Sequence, residues 1–277
     1  MSSVLIEAVE LTALVTAGAA PLLADVRYTL GGPPGSGAFE QGHLAGAAWV
    51  DLDHELSGPP GVGGRHPLPD LATFTAAMQR LGVEADEPVV VYDAATSLAA
   101  SRLWWLLTDA GHTGVRVLNG GLAAWVGAGG AVETGPGRPR TRGTFIPRPG
   151  QRSRMDAATI MTRLERGEPV TLVDVRAAER FRGETEPIDP VAGHIPSAVS
   201  RPGTANQDDN SRFRPELVRT AYAGLEQPVL YCGSGITAAQ SLLALEAAGR
   251  QDAVIYPGSW SDWITDPLRP VATGSEP

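Results

Sequence analysis

The chain has 277 residues, enough for two domains of ordinary size, and its 43% apolar, 19% charged composition belongs to a globular protein with real cores. A net charge of -9 excludes a sequence-independent grip on nucleic acid or on an anionic membrane. A single cysteine excludes a disulfide framework and a Cys-rich zinc site within the chain, and it fits a reducing, cytoplasmic compartment.

The opening "MSSVLIEAVELTALVTAGAA" is apolar but lacks a basic start, and Glu7 and Glu10 interrupt it. It reads as a strand over Val4–Ile6 followed by an amphipathic helix rather than as an export signal. No segment offers the ~20 uninterrupted apolar residues of a membrane span, so no membrane partner is expected. Four blocks then follow in order: "LLADVR" (22–27), "GHLAGA" (42–47), "VVVYDAATSLAA" (89–100) and "RVLNGGLAAW" (116–125). Each returns in the second half, as "LVDVR" (172–176), "GHIPSA" (193–198), "PVLYCGSGITAA" (228–239) and "VIYPGSWSDW" (254–263). The halves therefore read as duplicated domains over residues 1–135 and 154–277. Between them, residues 136–153 read as an extended, solvated linker rich in Pro, Gly and Arg. Within each half, short β-branched runs alternate with Ala/Leu helical stretches. That alternation predicts an α/β fold, each domain a mostly parallel sheet with helices on both faces. Ligands of such sheets bind beyond the carboxyl ends of the strands.

The lone cysteine stands at such an end. Cys232-Gly233-Ser234-Gly235-Ile236-Thr237 joins an apolar strand to a helix start. Glycines let the backbone curl and turn several N–H groups inward, and the helix start adds partial positive charge. The result is a cradle for an anion, which favours a thiolate nucleophile and holds an outer sulfur as a persulfide. The alternative is a buried structural cysteine, the commoner fate of a lone thiol. Asp93 takes the equivalent place in the first half, where "DAATSL" lacks the glycines of a cradle.

The blocks "DVR", "GHIPSA", "LYCGSGIT" and "YPGSWSDW" resemble the tandem rhodanese-domain sulfurtransferases, which include thiosulfate and 3-mercaptopyruvate sulfurtransferases. The resemblance runs through both halves and implies two rhodanese-like domains, the first non-catalytic. It implies a ping-pong reaction in which Cys232 takes sulfur from thiosulfate or 3-mercaptopyruvate. The sulfur then passes to cyanide, a small thiol or thioredoxin. No metal or organic cofactor is required. The loop residues Gly233, Gly235, Ile236 and Thr237 would bind the donor beside Cys232.

On the donor the resemblance points two ways. The uncharged loop "CGSGIT" looks like the mercaptopyruvate type. Mercaptopyruvate enzymes also use two arginines nine residues apart; Arg180 matches the first, but Asp189 stands at the second, as in the thiosulfate branch, with Arg182 as a substitute. Asp53 and His66 match positions that the mercaptopyruvate enzymes bring against the loop serine, so an Asp53–His66–Ser234 relay is expected, against a plain loop histidine under Pro67.

Other marked residues read as structural. Asp25/Arg27 and Asp174/Arg176 should make buried salt bridges. His43 and His194 occur in both halves, including the one without cysteine. Trp104, Trp105, Trp125, Trp260 and Trp263 read as core, with Trp260 also a candidate pocket wall. A phosphatase is a poor fit, because Thr237 stands where phosphate clamping needs arginine. A non-enzymatic sulfur carrier or regulatory module is the remaining alternative.

Overall fold

The computed structural model describes residues 3–138 and 140–275. They form two compact units. One holds the chain up to Gly58, Pro69–Gln151 and Asp209–Phe213; the other holds Pro59–Leu68, Arg152–Asp208 and the chain from Arg214 onward.

The first unit contains β1 (Leu5–Ile6), α1 (Ala8–Thr16), β2 (Leu22–Asp25), α2 (Gly35–Gln41), β3 (His43–Leu44), β4 (Ala48–Trp49), α3 (Leu71–Leu81), β5 (Val89–Tyr92), α4 (Leu98–Asp109), β6 (Val115–Leu118), α5 (Gly121–Gly127) and β7 (Val132–Glu133). Five strands form a parallel sheet in the order β1-β6-β5-β2-β4, and β3 pairs antiparallel with β7. Every residue of β2 and β5 is buried, as strands covered by helices on both faces must be. Helix α3 starts at Asp70, whose carboxylate caps the Thr73 N–H, and stops at left-handed Gly82. Its buried residues Phe74, Ala77, Met78 and Leu81 make one stripe at helical spacing.

The second unit contains α6 (Ala157–Arg166), β8 (Leu172–Asp174), α7 (Ala178–Phe181), β9 (Val199–Ser200), α8 (Pro215–Ala221), β10 (Val229–Tyr231), α9 (Ile236–Ala247), β11 (Val254–Ile255) and α10 (Ser259–Trp263). Its strands are parallel in the order β11-β10-β8-β9, and a parallel bridge from Arg154 to Ile255 extends the sheet beyond β11. An antiparallel bridge from His194 to Ala272 repeats the pairing of β3 with β7.

The duplication extends to single hydrogen bonds. Arg27 pairs with Asp25 and donates to the Gly42 carbonyl at 2.7 Å; Arg176 pairs with Asp174 and donates to the Gly193 carbonyl at 2.6 Å. The N–H groups of Leu44 and Ile195 donate to the hydroxyls of Tyr92 and Tyr231, both at 3.1 Å. His43 stacks on Phe39 and His194 on Phe181, and each Nδ1 faces the carbonyl of the residue it stacks on. These histidines are structural, as expected. The tryptophans Trp104, Trp105, Trp260 and Trp263 are fully buried, and Trp125 is nearly so.

Among its described residues the connector has no helix or strand, yet it is less solvated than its composition suggests. Phe145 is buried and donates its N–H to the Val83 carbonyl, while Gly143 and Arg148 donate theirs to Gln79 and Ala110. One aromatic anchor and backbone bonds fix the segment, and neither leaves a periodic signal. No helix among the described residues is long and apolar enough to cross a membrane.

Removing Asp174 takes the nearer of two carboxylates from the buried Arg176 guanidinium and leaves Glu186 at 3.3 Å. Asp174→Ala is expected to lower stability by about 3–5 kcal/mol, read from urea unfolding. A loss below about 1 kcal/mol would mean that the pair is not a structural keystone.

Candidate active site

Strand β10 ends at Tyr231 and hands the chain to Cys232, which is almost fully buried. The loop turns into α9 through Gly235, whose φ is +82°. A Cβ there would stand 2.3 Å from the Pro257 carbonyl, so only glycine fits. The turn aims the Gly235 N–H at Cys232 Sγ, 3.1 Å away. Ile236 and Thr237 open α9, so their N–H groups have no intrahelical acceptor. Two backbone bonds hold the loop from behind: the N–H groups of Trp260 and Ser261 donate to the carbonyls of Cys232 and Gly233, both at 2.9 Å.

The segment Pro59–Leu68 comes from the first half of the sequence but belongs to the second compact unit. Gly61 and Gly64 exchange backbone hydrogen bonds at 3.0 Å and close a tight turn. Gly64 packs where a Cβ would meet Ser261 Oγ at 2.6 Å, and the Arg65 N–H donates to that hydroxyl at 2.9 Å. The next residue, His66, is buried with Nδ1 2.7 Å from Ser234 Oγ. Asp53 lies in the first unit, where its N–H donates to Asp51 Oδ1. Its carboxyl is raised above the ordinary range, first by desolvation and then by the Asp51 carboxylate.

Beside Gly233 runs a chain of alternating charges. Arg176 reaches Glu186 at 3.3 Å; Glu186 accepts from Arg180 at 2.6 Å; Arg180 reaches Asp189 at 3.1 Å; and Asp189 pairs with Arg65. Burial alone would raise the Glu186 carboxyl. The Arg180 guanidinium and the N–H groups of Asp189 and Ile188 outweigh it and hold Glu186 below its ordinary value. Arg182, the candidate substitute, pairs with Glu184 at the surface.

The fold thus gathers Cys232, Gly233, Ser234, Gly235 and His66, with Arg180 beside them. Sequence reasoning missed Arg65, because its side chain is cationic while the resemblance expects a cation at position 189. It also missed Ser259. That residue is fully buried at φ +56°, accepts the Cys232 N–H at 3.0 Å and donates to the Tyr256 carbonyl at 2.9 Å. The signal was available in the repeat, where Gly121 holds the same φ of +56° at the start of the matching helix.

One expectation for the first half needs correction. The loop "DAATSL" curls despite its lack of glycine, because Ser97 takes a φ of +59°. Its N–H groups converge on an anion that the chain supplies: Asp93 accepts from Ala95, Ser97, Ala99 and Ala100. The first unit has a cradle, filled by its own carboxylate.

The chain matches the rhodanese-like domain twice, over residues 7–128 and 156–266. It is similar to the putative thiosulfate sulfurtransferase of Mycobacterium tuberculosis, 42% identical over 98% of both chains. It is also similar to the probable 3-mercaptopyruvate sulfurtransferase of Pseudomonas aeruginosa, 45% identical over 91% of this chain and 92% of that one. Among solved structures, it resembles the crystal structure of the Escherichia coli 3-mercaptopyruvate sulfotransferase. The two are 27% identical with a TM-score of 0.79, over 94% of this chain and 100% of that one.

Ser259 gives a test of how Cys232 is held. Ser259→Ala keeps the left-handed strain and leaves the Cys232 N–H without its acceptor, so it should destabilise by about 1–3 kcal/mol. Ser259→Gly loses the same acceptor but relieves strain worth about 1 kcal/mol, so it should be the milder change. Thermal or urea unfolding of the two variants reads the order. Equal losses would show that the backbone there is unstrained.

Proposed function

We propose that this chain, which belongs to the rhodanese-like domain family and is a sulfurtransferase, takes sulfur chiefly from 3-mercaptopyruvate through a persulfide on Cys232. The observation that carries the donor assignment is the 2.7 Å contact between His66 Nδ1 and Ser234 Oγ, two residues from the nucleophile.

The chemistry explains why that contact matters. The Cys232 thiolate attacks the donor's sulfur. The carbon–sulfur bond breaks and its electron pair leaves on the pyruvate enolate, while Cys232 keeps the sulfur as Cys–S–SH. The enolate must take up a proton to become pyruvate, and the His66–Ser234 pair is built to deliver one. Asp53 is the proposed third member of the relay. Thiosulfate needs no such step, since its sulfur–sulfur bond breaks to release sulfite. The N–H groups of Gly235, Ile236 and Thr237 are the proposed donors to the bound sulfur, and Arg180 the proposed cation for the donor's anionic end.

In the second half-reaction an acceptor thiolate attacks the outer sulfur and Cys232 leaves as thiolate. A small thiol, thioredoxin or cyanide fits that role, in a reducing cytoplasm where a lone thiol stays free. Thiosulfate is retained as a second donor, in line with the name of the mycobacterial relative.

Cys232→Ser should abolish transfer from either donor, and mass spectrometry of the donor-treated parent should find one added sulfur on the Cys232 peptide. Substantial activity in the variant would remove the nucleophile assignment. Ser234→Ala should lower kcat/KM for mercaptopyruvate by about 100-fold and for thiosulfate much less. An equal fall for both donors would dismiss the relay and, with it, the preference for mercaptopyruvate.

A further inference from the structure

Position 189 carries a carboxylate where a two-arginine clamp would have its second cation. The fold supplies that cation from a distant part of the chain. Arg65 enters from the Gly61–Gly64 turn, and its Nη2 comes within 2.9 Å of where a Cβ on Gly233 would stand. Arg180 Nη1 is 3.7 Å from the same point. The two guanidinium groups therefore share the space directly over the Cys232 loop, and Gly233 is small enough to admit them.

Each of these arginines keeps a donor that the network does not use. Arg65 Nη1 is used on Asp189, while its Nε is buried and donates to no acceptor among the described residues. Arg180 spends Nε and Nη2 on Glu186 and Asp189, which leaves Nη1 as its atom nearest the loop. A planar anion such as a carboxylate suits two guanidinium edges of this kind. Asp189 is buried and bridges both arginines, Oδ1 to Arg65 and Oδ2 to Arg180.

We propose that Arg65 and Arg180 together seat the anionic end of the donor, and that Asp189 makes this seat prefer a monoanionic carboxylate to a dianion. The proposal rests on Cys232 as the sulfur-accepting atom. In the network, three guanidinium groups alternate with three carboxylates and their charges cancel, whereas a neutral residue at position 189 would leave one positive charge in surplus. At a given distance the Asp189 carboxylate repels a dianion twice as strongly as a monoanion. It also fixes both guanidinium planes, so the seat exists before the donor arrives.

Alkylation of Cys232, the chain's only cysteine, reads the seat without any turnover. Its thiolate displaces iodide from iodoacetate, an anion, or from iodoacetamide, a neutral analogue. The ratio of the two rates, followed by mass spectrometry, reports attraction of the carboxylate. Arg65→Ala should lower that ratio about 10-fold, and Arg65→Lys should recover part of it. Asp189→Asn should raise the ratio, and should raise kcat/KM for thiosulfate more than for mercaptopyruvate. If Arg65→Ala fails to fold, Arg65→Gln gives the same reading with a neutral side chain. A ratio within twofold of the parent in the folded Arg65 variant overturns the seat. Equal gains for both donors in Asp189→Asn overturn the charge filter. Should no sulfur ever appear on Cys232 of the parent, the transfer reading falls while the alkylation ratios still judge the seat.

Discussion

Backbone N–H groups that converge at the end of a buried strand must find an anion, and each unit is arranged around that demand. In the first unit the demand is met internally. Asp93 follows β5 and its carboxylate accepts four N–H bonds from the turn and the first residues of α4. In the second unit the equivalent residue is Cys232, and Sγ receives the Gly235 N–H at 3.1 Å. One side chain accounts for the difference. A carboxylate accepts the N–H groups of its own cradle, whereas the thiol in the second unit receives the N–H of Gly235. The surrounding frame is kept, since Leu122 and Ala123 donate to Asp93 and Ala94 just as Trp260 and Ser261 donate to Cys232 and Gly233.

The charge network beside Cys232 follows from the acidity of the chain. A protein with a net charge of -9 repels anionic donors at long range, so the proposed donor seat needs a local concentration of cations. Bare buried arginines would be costly, and the alternation with Asp174, Glu186 and Asp189 removes that cost. Glu186 is held below its ordinary value, against the effect of burial, by Arg180 and by backbone N–H groups. A carboxylate whose folded value is depressed contributes stability above its unfolded value and loses it as pH falls through the folded one. The contribution of Glu186 is therefore present at neutral pH and is lost on the acid side of the ordinary glutamate range.

Much of this was legible in the sequence, for identifiable reasons. The doubled blocks carry a doubled set of contacts, so Asp174/Arg176 and His194 could be read from their partners Asp25/Arg27 and His43. The cradle could be read because strand, glycine turn and helix are local in sequence. The Ser234–His66 contact spans 168 positions and was reachable only through resemblance. Arg65 was not reachable at all. Nothing in "GVGGRHPLP" says that the segment packs with the other half, and the glycines that allow it, Gly61 and Gly64, look like ordinary loop residues. The glycine rule also misled at "DAATSL", where a serine accepts the strained turn.

Strain itself separates the two units. Each needs a left-handed residue at two places, before the helix that follows the loop and at the start of the next helix. The first unit uses Ser97 at φ +59° and then Gly121 at φ +56°; the second uses Gly235 at φ +82° and then Ser259 at φ +56°. Glycine takes such angles freely, while a serine costs about 1 kcal/mol or more. The second unit is therefore relaxed in the loop after Cys232 and carries its strain at Ser259. Gly235 gains an N–H aimed at Sγ with no side chain in the way of Pro257. Ser259, in return for its strain, places a hydroxyl on the N–H of Cys232 itself. A glycine there would be the relaxed choice for the backbone, as it is in the first unit. Serine instead satisfies the buried N–H of Cys232, which a glycine would leave without that acceptor.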